Sequence, residues 1–188
     1  MQVERTKLRD VLILRPKKFG DERGFFSETF KMSVLAEYGV NLPWVQDNQS
    51  YSAAPGVLRG LHFQTAPCAQ AKLVRVTKGA LLDVAVDIRI GSPTYGEHVA
   101  VELSAENWAQ LYVPIGFAHG FCTLTPDTEA LYKVTSEYSP AHEGGVLWND
   151  PDLGIDWPFS EADATLNARD RAWPRLRDFT SPYVYEPR

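Results

Sequence analysis

The chain has 188 residues, 44% of them hydrophobic and 23% charged, a balance that suits a globular protein with a sizeable core. Its formal charge of −5 argues against general nucleic-acid binding, and no apolar run approaches the ~18 residues that a membrane span requires. A small phosphorylated ligand remains compatible with that charge, because a few converging cations can focus a local positive field.

Residues 1–5 lack the apolar centre of a secretion signal, which points to a cytoplasmic protein. Strand-like alternation follows at 11–14 and 24–30, then at 72–76, 81–88, 98–103, 110–113 and 129–134. Helical pattern is scarce. Residues 33–38, stopped by Gly39, predict one short helix, and the region after Ser160 predicts a second. Thirteen glycines and thirteen prolines are scattered with no linker-like cluster or repeat. Many short strands at roughly ten-residue spacing indicate a β-sandwich, jelly roll or barrel. Cys68 and Cys122 have neither metal-binding nor redox spacing and are read as free thiols.

The most informative stretch is 56–64, Gly-Val-Leu-Arg-Gly-Leu-His-Phe-Gln, with Lys72 eight residues beyond Gln64. It is built like a buried strand, yet Arg59, His62 and Lys72 bring three potentially cationic groups together. Unpaired buried charge is costly, so an anionic ligand is expected among them. Imidazole is also well suited to moving protons near neutral pH. A lone strand histidine can instead be a core residue bonded to a backbone carbonyl, but the flanking cations favour a functional His62. Residues 59 and 62 would face opposite sides of a regular strand. A bulge at Gly60 would bring both to one side.

Residues 114–121, Pro-Ile-Gly-Phe-Ala-His-Gly-Phe, predict a tight turn with His119 where the chain enters a strand. This segment resembles the second motif of the cupin superfamily, whose small β-barrel suits the strand pattern. Metal-binding cupins carry a His-x-His pair and a glutamate in the first motif, whereas this chain reads His62-Phe63-Gln64. With the ligand set broken, no metal is expected. Tyr132 lies in an alternating segment and can point inward, while Tyr138 and Glu143 fall in a loop. Taken alone, each of these three reads as structural.

Residues 21–28, 46–48, 59–62, 114–121, 147–152 and 155–158 together resemble the dTDP-4-dehydrorhamnose 3,5-epimerase family, in order over about residues 8–178. The resemblance implies a mainly β, cupin-type jelly-roll barrel with a few short helices. Residues 1–188 would form a single domain, with an N-terminal strand and a C-terminal helical or extended segment packed on it. It implies a cytoplasmic homodimer that uses neither cofactor nor metal, binds a dTDP-sugar, and has no nucleic-acid or membrane partner. The implied reaction epimerises dTDP-4-dehydro-6-deoxy-D-glucose at C3 and C5 to dTDP-4-dehydro-L-rhamnose through an enolate. A single-carbon epimerase of a related sugar, and a non-catalytic nucleotide-sugar-binding cupin, are the alternatives.

Carried over by position, His62 matches the general base, Asp170 the aspartate that orients it, Tyr132 the general acid and Lys72 the lysine beside the ketone. Arg23, Glu28, Gln46, Asn48, Arg59, Lys72, His119, Tyr138, Glu143 and Arg169 match substrate-binding positions. Tyr138 is the implied base-stacking aromatic. Arg169 stands where the family often has lysine, and Asn167-Ala168 departs from the more usual residues ahead of it. The chemistry suits these types. A histidine can accept a proton near pH 7, whereas tyrosine, with a reference pKa of ~10, suits donation.

Overall fold

Short runs of β-branched and aromatic residues, cut by glycine and proline, fold into thirteen strands among residues 1–187, which the computed structural model describes. In chain order these are β1 (Gln2–Arg5), β2 (Leu12–Arg15), β3 (Lys18–Asp21), β4 (Gly24–Ser27), β5 (Gln46–Ser52), β6 (Leu58–Gln64) and β7 (Lys72–Lys78). They continue as β8 (Ala80–Asp87), β9 (His98–Ser104), β10 (Gln110–Val113), β11 (Phe117–Thr123), β12 (Thr128–Val134) and β13 (Glu143–Gly145). One α-helix, α1 (Met32–Glu37), forms where the Gly39 stop predicted it. The expected mainly β class holds.

Two antiparallel sheets carry the architecture. One runs β1-β2-β10-β7-β12-β5, the other β13-β6-β11-β8-β9, while β3 and β4 pair only with each other. Between the large sheets lies a core of Val74, Val76 and Ala130 against Leu81, Ala85, Phe117 and Phe121. The outer faces are covered too. Leu12, Leu14, Leu73 and Tyr112 pack under Leu35 of α1 and Trp44, and Leu61, Phe63, Val84 and Val86 pack under Leu153, Phe179 and Tyr183. Double coverage explains why β10 and β11 are buried at every position rather than alternately.

Four strands were not marked by apolar alternation: β1, β3, β5 and β13. Each is polar or very short, and cross-strand pairing rather than an apolar face holds it in place. The expected second helix is corrected. After Ser160 the described chain runs as turns and extended segments with a single 3-10 turn, Leu176–Asp178. Prolines 174 and 182 deprive that segment of helical donors, and its extended course lays Phe179 and Tyr183 on the sheet face.

Candidate active site

Strand alternation decides which polar side chains share the interior. On β8, Asp83 lies on the same face as the core residues Leu81 and Ala85. On β11, His119 lies between Phe117 and Phe121. Lys72 is in phase with Val74 and Val76, and Tyr132 with Ala130 and Val134. Leu61 and Phe63 pack on the outer face of β6, which turns His62 and Gln64 inward. The two histidines and Asp83 therefore come from one sheet, lysine and tyrosine from the other, across a common interior.

The β6–β11 register also contains the expected bulge. His62 pairs with His119 and Arg59 with Phe121, so β6 takes three steps where β11 takes two. Gly60 permits this, with φ of +135° and a Cβ position only 2.5 Å from Gly120 Cα. Arg59 stays at the rim, donating to the Tyr51 carbonyl at 3.3 Å, yet its charge reaches Tyr132.

His62 Nε2 lies 2.7 Å from Oδ1 of the buried Asp170. The other carboxylate oxygen accepts the Gly60 N–H at 3.3 Å, so both oxygens are engaged. Burial works to raise the Asp170 pKa, but the hydrogen bond and charge of His62, with the Gly60 N–H and the Arg169 charge, outweigh it and hold the carboxyl below its usual range. An ionised carboxylate only accepts, so His62 donates through Nε2 and keeps Nδ1 for a proton. Trp173 stands edge-on to the imidazole, ring centroids 6.2 Å apart. It also lies over Gly145, where a Cβ would meet its ring at 2.5 Å. Asn167 Oδ1 accepts the Asp170 N–H at 2.7 Å, giving the Asn167-Ala168 departure a turn-forming role.

Burial pulls the Lys72 ammonium down to about 8, against the attraction of Asp83 and Glu143. It therefore stays largely charged at neutral pH and can donate to a developing oxyanion. Burial raises the Tyr132 pKa above its ordinary value; Arg59 opposes this, while Glu143 and Tyr138 reinforce it. Tyr132 thus holds its proton until an acceptor of sufficient basicity is present.

Towards the opening, Glu143 Oε2 accepts from Tyr138 Oη at 2.8 Å and from Arg169 Nη1. The Tyr138 N–H donates to Gln46 Oε1 at 3.0 Å, and Gln46 Nε2 donates to Asn48 Oδ1 at 2.7 Å. Gln64, at the broken metal-ligand position, is committed elsewhere. Its amide bonds the backbone of Cys68, Glu137 and Ser139 and so ties down the loop that carries Tyr138. Among the described residues, no three His, Cys, Asp or Glu side chains cluster as a metal site.

Two of the expected residues do not join this cluster within one chain. Arg23 sits at the β3–β4 turn with its side chain 85% exposed and bonded to Asp21, and Glu28 is exposed just past β4. Conversely, sequence reasoning did not single out Asp83 or Trp173. A carboxylate inside the apolar run 81–86 was a usable signal for Asp83, since a buried charge demands a partner. Nothing local marked Trp173, which meets His62 only through folding.

The family model of dTDP-4-dehydrorhamnose 3,5-epimerase matches residues 5–178. The Salmonella typhimurium dTDP-4-dehydrorhamnose 3,5-epimerase is 55% identical over 177 residues, covering 94% of this chain and 96% of that protein. Its Sinorhizobium fredii counterpart is 50% identical over 185 residues, covering 98% and 94%. Among solved structures, the Legionella pneumophila dTDP-6-deoxy-D-glucose-3,5-epimerase in complex with dTDP-4-keto-L-rhamnose superposes with a TM-score of 0.93. It is 43% identical, with 99% of each chain covered. A match that runs through β6, β11, β12 and the Asp170 turn alike leaves no part of the interior cluster outside it: the chain belongs to the dTDP-4-dehydrorhamnose 3,5-epimerase family of isomerases.

Proposed function

We propose that the protein epimerises dTDP-4-dehydro-6-deoxy-D-glucose at C3 and C5, giving dTDP-4-dehydro-L-rhamnose. One observation carries the reading: an aspartate-bonded histidine on one sheet shares an interior with a proton-retaining tyrosine and a charged lysine on the other. Carbons 3 and 5 flank the 4-ketone, which acidifies their protons. His62 Nδ1 takes one such proton, and the C–H electron pair moves into the enolate while the carbonyl oxygen gains charge. Lys72 donates to that oxygen, a contribution of a few kcal/mol if it resembles an oxyanion-hole donor. Tyr132 delivers a proton to the opposite face, the carbonyl reforms, and exchange with solvent resets both groups. Asp170 keeps the imidazole oriented and stabilises its charged form. The reaction is redox-neutral, so no cofactor enters any step.

Arg59 and Arg169 supply planar guanidinium forks suited to the diphosphate, and the exposed Tyr138 ring offers a face for the base. Gln46, Asn48, Glu143 and His119 complete the binding set. Within the proposal the chain acts as one domain in the cytoplasm, and among the described residues no helix is long and apolar enough to cross a membrane.

The functional unit we propose is a homodimer. The β3–β4 hairpin presents Phe19, Phe25 and Phe26, the last 67% exposed, beside the exposed Arg23 and Glu28. An aromatic surface of this kind favours a protein partner, and a second copy would take Arg23 and Glu28 into its site. Mixing an inactive His62→Ala chain with an inactive Arg23→Ala chain should restore turnover, because one hybrid site is intact. Absence of recovery under subunit exchange would count against the shared site.

Proton NMR of the keto-sugar nucleotide in deuterated water tests the reaction. Deuterium at both C3 and C5 with the rhamno-configured product is expected. Exchange and inversion at one carbon would replace the double epimerase with a single-site enzyme, and no exchange would leave only nucleotide-sugar binding.

A further inference from the structure

Asp83 carries the least satisfied charge in the interior. It sits in mid-β8, paired with Phe121 on one side and Val101 on the other, and is fully buried. Its Oδ1 lies 2.6 Å from His119 Nε2, which donates to it. Its Oδ2 is buried with no hydrogen-bond partner. A buried carboxylate oxygen left unbonded is costly, so a nearby cation is the natural occupant of its free side. Lys72 from the facing sheet answers that description, since Asp83 is the first of the charges that favour its ammonium.

Resting on the reading of Lys72 as the enolate-stabilising group, we propose that Asp83 is its positioning residue. His119 anchors one carboxylate oxygen, and the other draws the Lys72 ammonium into place and keeps it charged, aimed at the ligand's carbonyl oxygen. Lys72 feels Asp83 and Glu143, while His119 feels Asp83, Lys72 and His62. His119, taken from sequence as a substrate contact, has its Nε2 committed to Asp83, so it acts on the ligand at least partly through this chain.

The direction of the effect follows. Burial lowers the Lys72 pKa to about 8, and the Asp83 charge limits that fall. Removing the charge lets the pKa fall further, so an enzyme that needs a protonated lysine loses activity at lower pH. Asp83→Asn preserves size and removes charge. The alkaline limb of its kcat/KM profile should move to lower pH by about one unit or more, the usual scale for loss of a neighbouring opposite charge. Turnover at pH 8 should drop on the order of tenfold or more, more in kcat than in KM. A merely structural aspartate would lower activity evenly across pH, and an unmoved limb would overturn the proposal.

Lys72→Met separates the two levels. If it is inactive while Asp83→Asn keeps the wild-type limb, only the positioning role fails; if it is fully active, the reading of Lys72 fails and takes the positioning role with it. Should Asp83→Asn not fold, carbon-13 NMR of the wild-type protein gives a second measurement. The Asp83 carboxyl carbon should shift through the same midpoint as Lys72 Cε, and a silent Asp83 signal would overturn the proposal.

Discussion

Two histidine–aspartate pairs stand beside each other in this interior, alike in their bonding but unlike in their surroundings. His62 and His119 are direct partners across β6 and β11, and each has Nε2 on an aspartate, at 2.7 Å and 2.6 Å. The His62 side chain is 21% exposed, whereas that of His119 is 7% exposed. Asp170 comes from a turn and has both oxygens bonded, while Asp83 comes from mid-strand and leaves one oxygen unbonded. In the proposed reaction the same pair serves as a base or a charge holder according to solvent access and where its spare bonding capacity points. An open imidazole with a satisfied aspartate can exchange protons with a ligand. A nearly sealed imidazole, with an unsatisfied aspartate behind it, is suited to organising charge.

The sharpest way to break this contrast is His62→Ala. Turnover should fall by about 10²–10⁴-fold, the range for loss of a general base. Nucleotide binding, followed by calorimetry with dTDP, should stay nearly intact. Wild-type turnover would remove His62 as the base and erase the distinction between the pairs.

Tyr132→Phe probes the partner on the facing sheet, with an expected loss of about 10²-fold or more in epimerised product. Solvent deuterium exchange into recovered substrate should fall much less, because His62 can still remove and return a proton on its own face. Equal loss of both signals would make the donor assignment wrong.

Gly145→Ala sharpens the description of the open pair. The added methyl meets the Trp173 ring that stands beside His62, so overpacking should cost about 1–3 kcal/mol of stability. Urea unfolding measures this, and kcat should fall with it as the imidazole loses its lateral support.

The smallest effect belongs to the sealed pair. Burial depresses the His119 pKa below its unfolded value, with Asp83 opposing and Lys72 and His62 adding to the fall. The unfolded chain therefore binds the proton more readily. The stability linked to His119 is present above about pH 6.5 and is lost as pH falls through the lower folded-state value. His119→Asn should show a shallower acid-side loss than wild type between pH 7.5 and 5.5, by less than about 1 kcal/mol. Identical slopes would mean that His119 is not held neutral by its surroundings.

Much of this was legible in the chain. Alternation in 72–76, 81–88 and 129–134 marked β7, β8 and β12 because each has one face in the inter-sheet core. Arg59, His62 and Lys72 stood out because cations inside apolar strands need a reason, and Gly60 signalled the bulge that the β6–β11 register contains. The polar strand β5 and the short β13 were not legible, since pairing partners rather than their own residues make them strands. The segment after Ser160 misled for a related reason: contacts with the sheet face, supplied from elsewhere in the chain, decide its extended course.

The amino-acid sequence by itself determined the periodicities, and hence a mainly β fold, the inward phase of its strands and the residue types available for proton chemistry. Those depend only on neighbours two or three positions away. Tertiary structure alone paired Asp83 with His119, whereas for His62 the family resemblance had already named Asp170. Asp170 reaches His62 across 108 positions and Asp83 reaches His119 across 36, separations at which nothing in the local pattern selects a partner. It also decided that the two pairs are unequal, because access and unsatisfied bonding capacity are properties of a packed interior rather than of any residue in it.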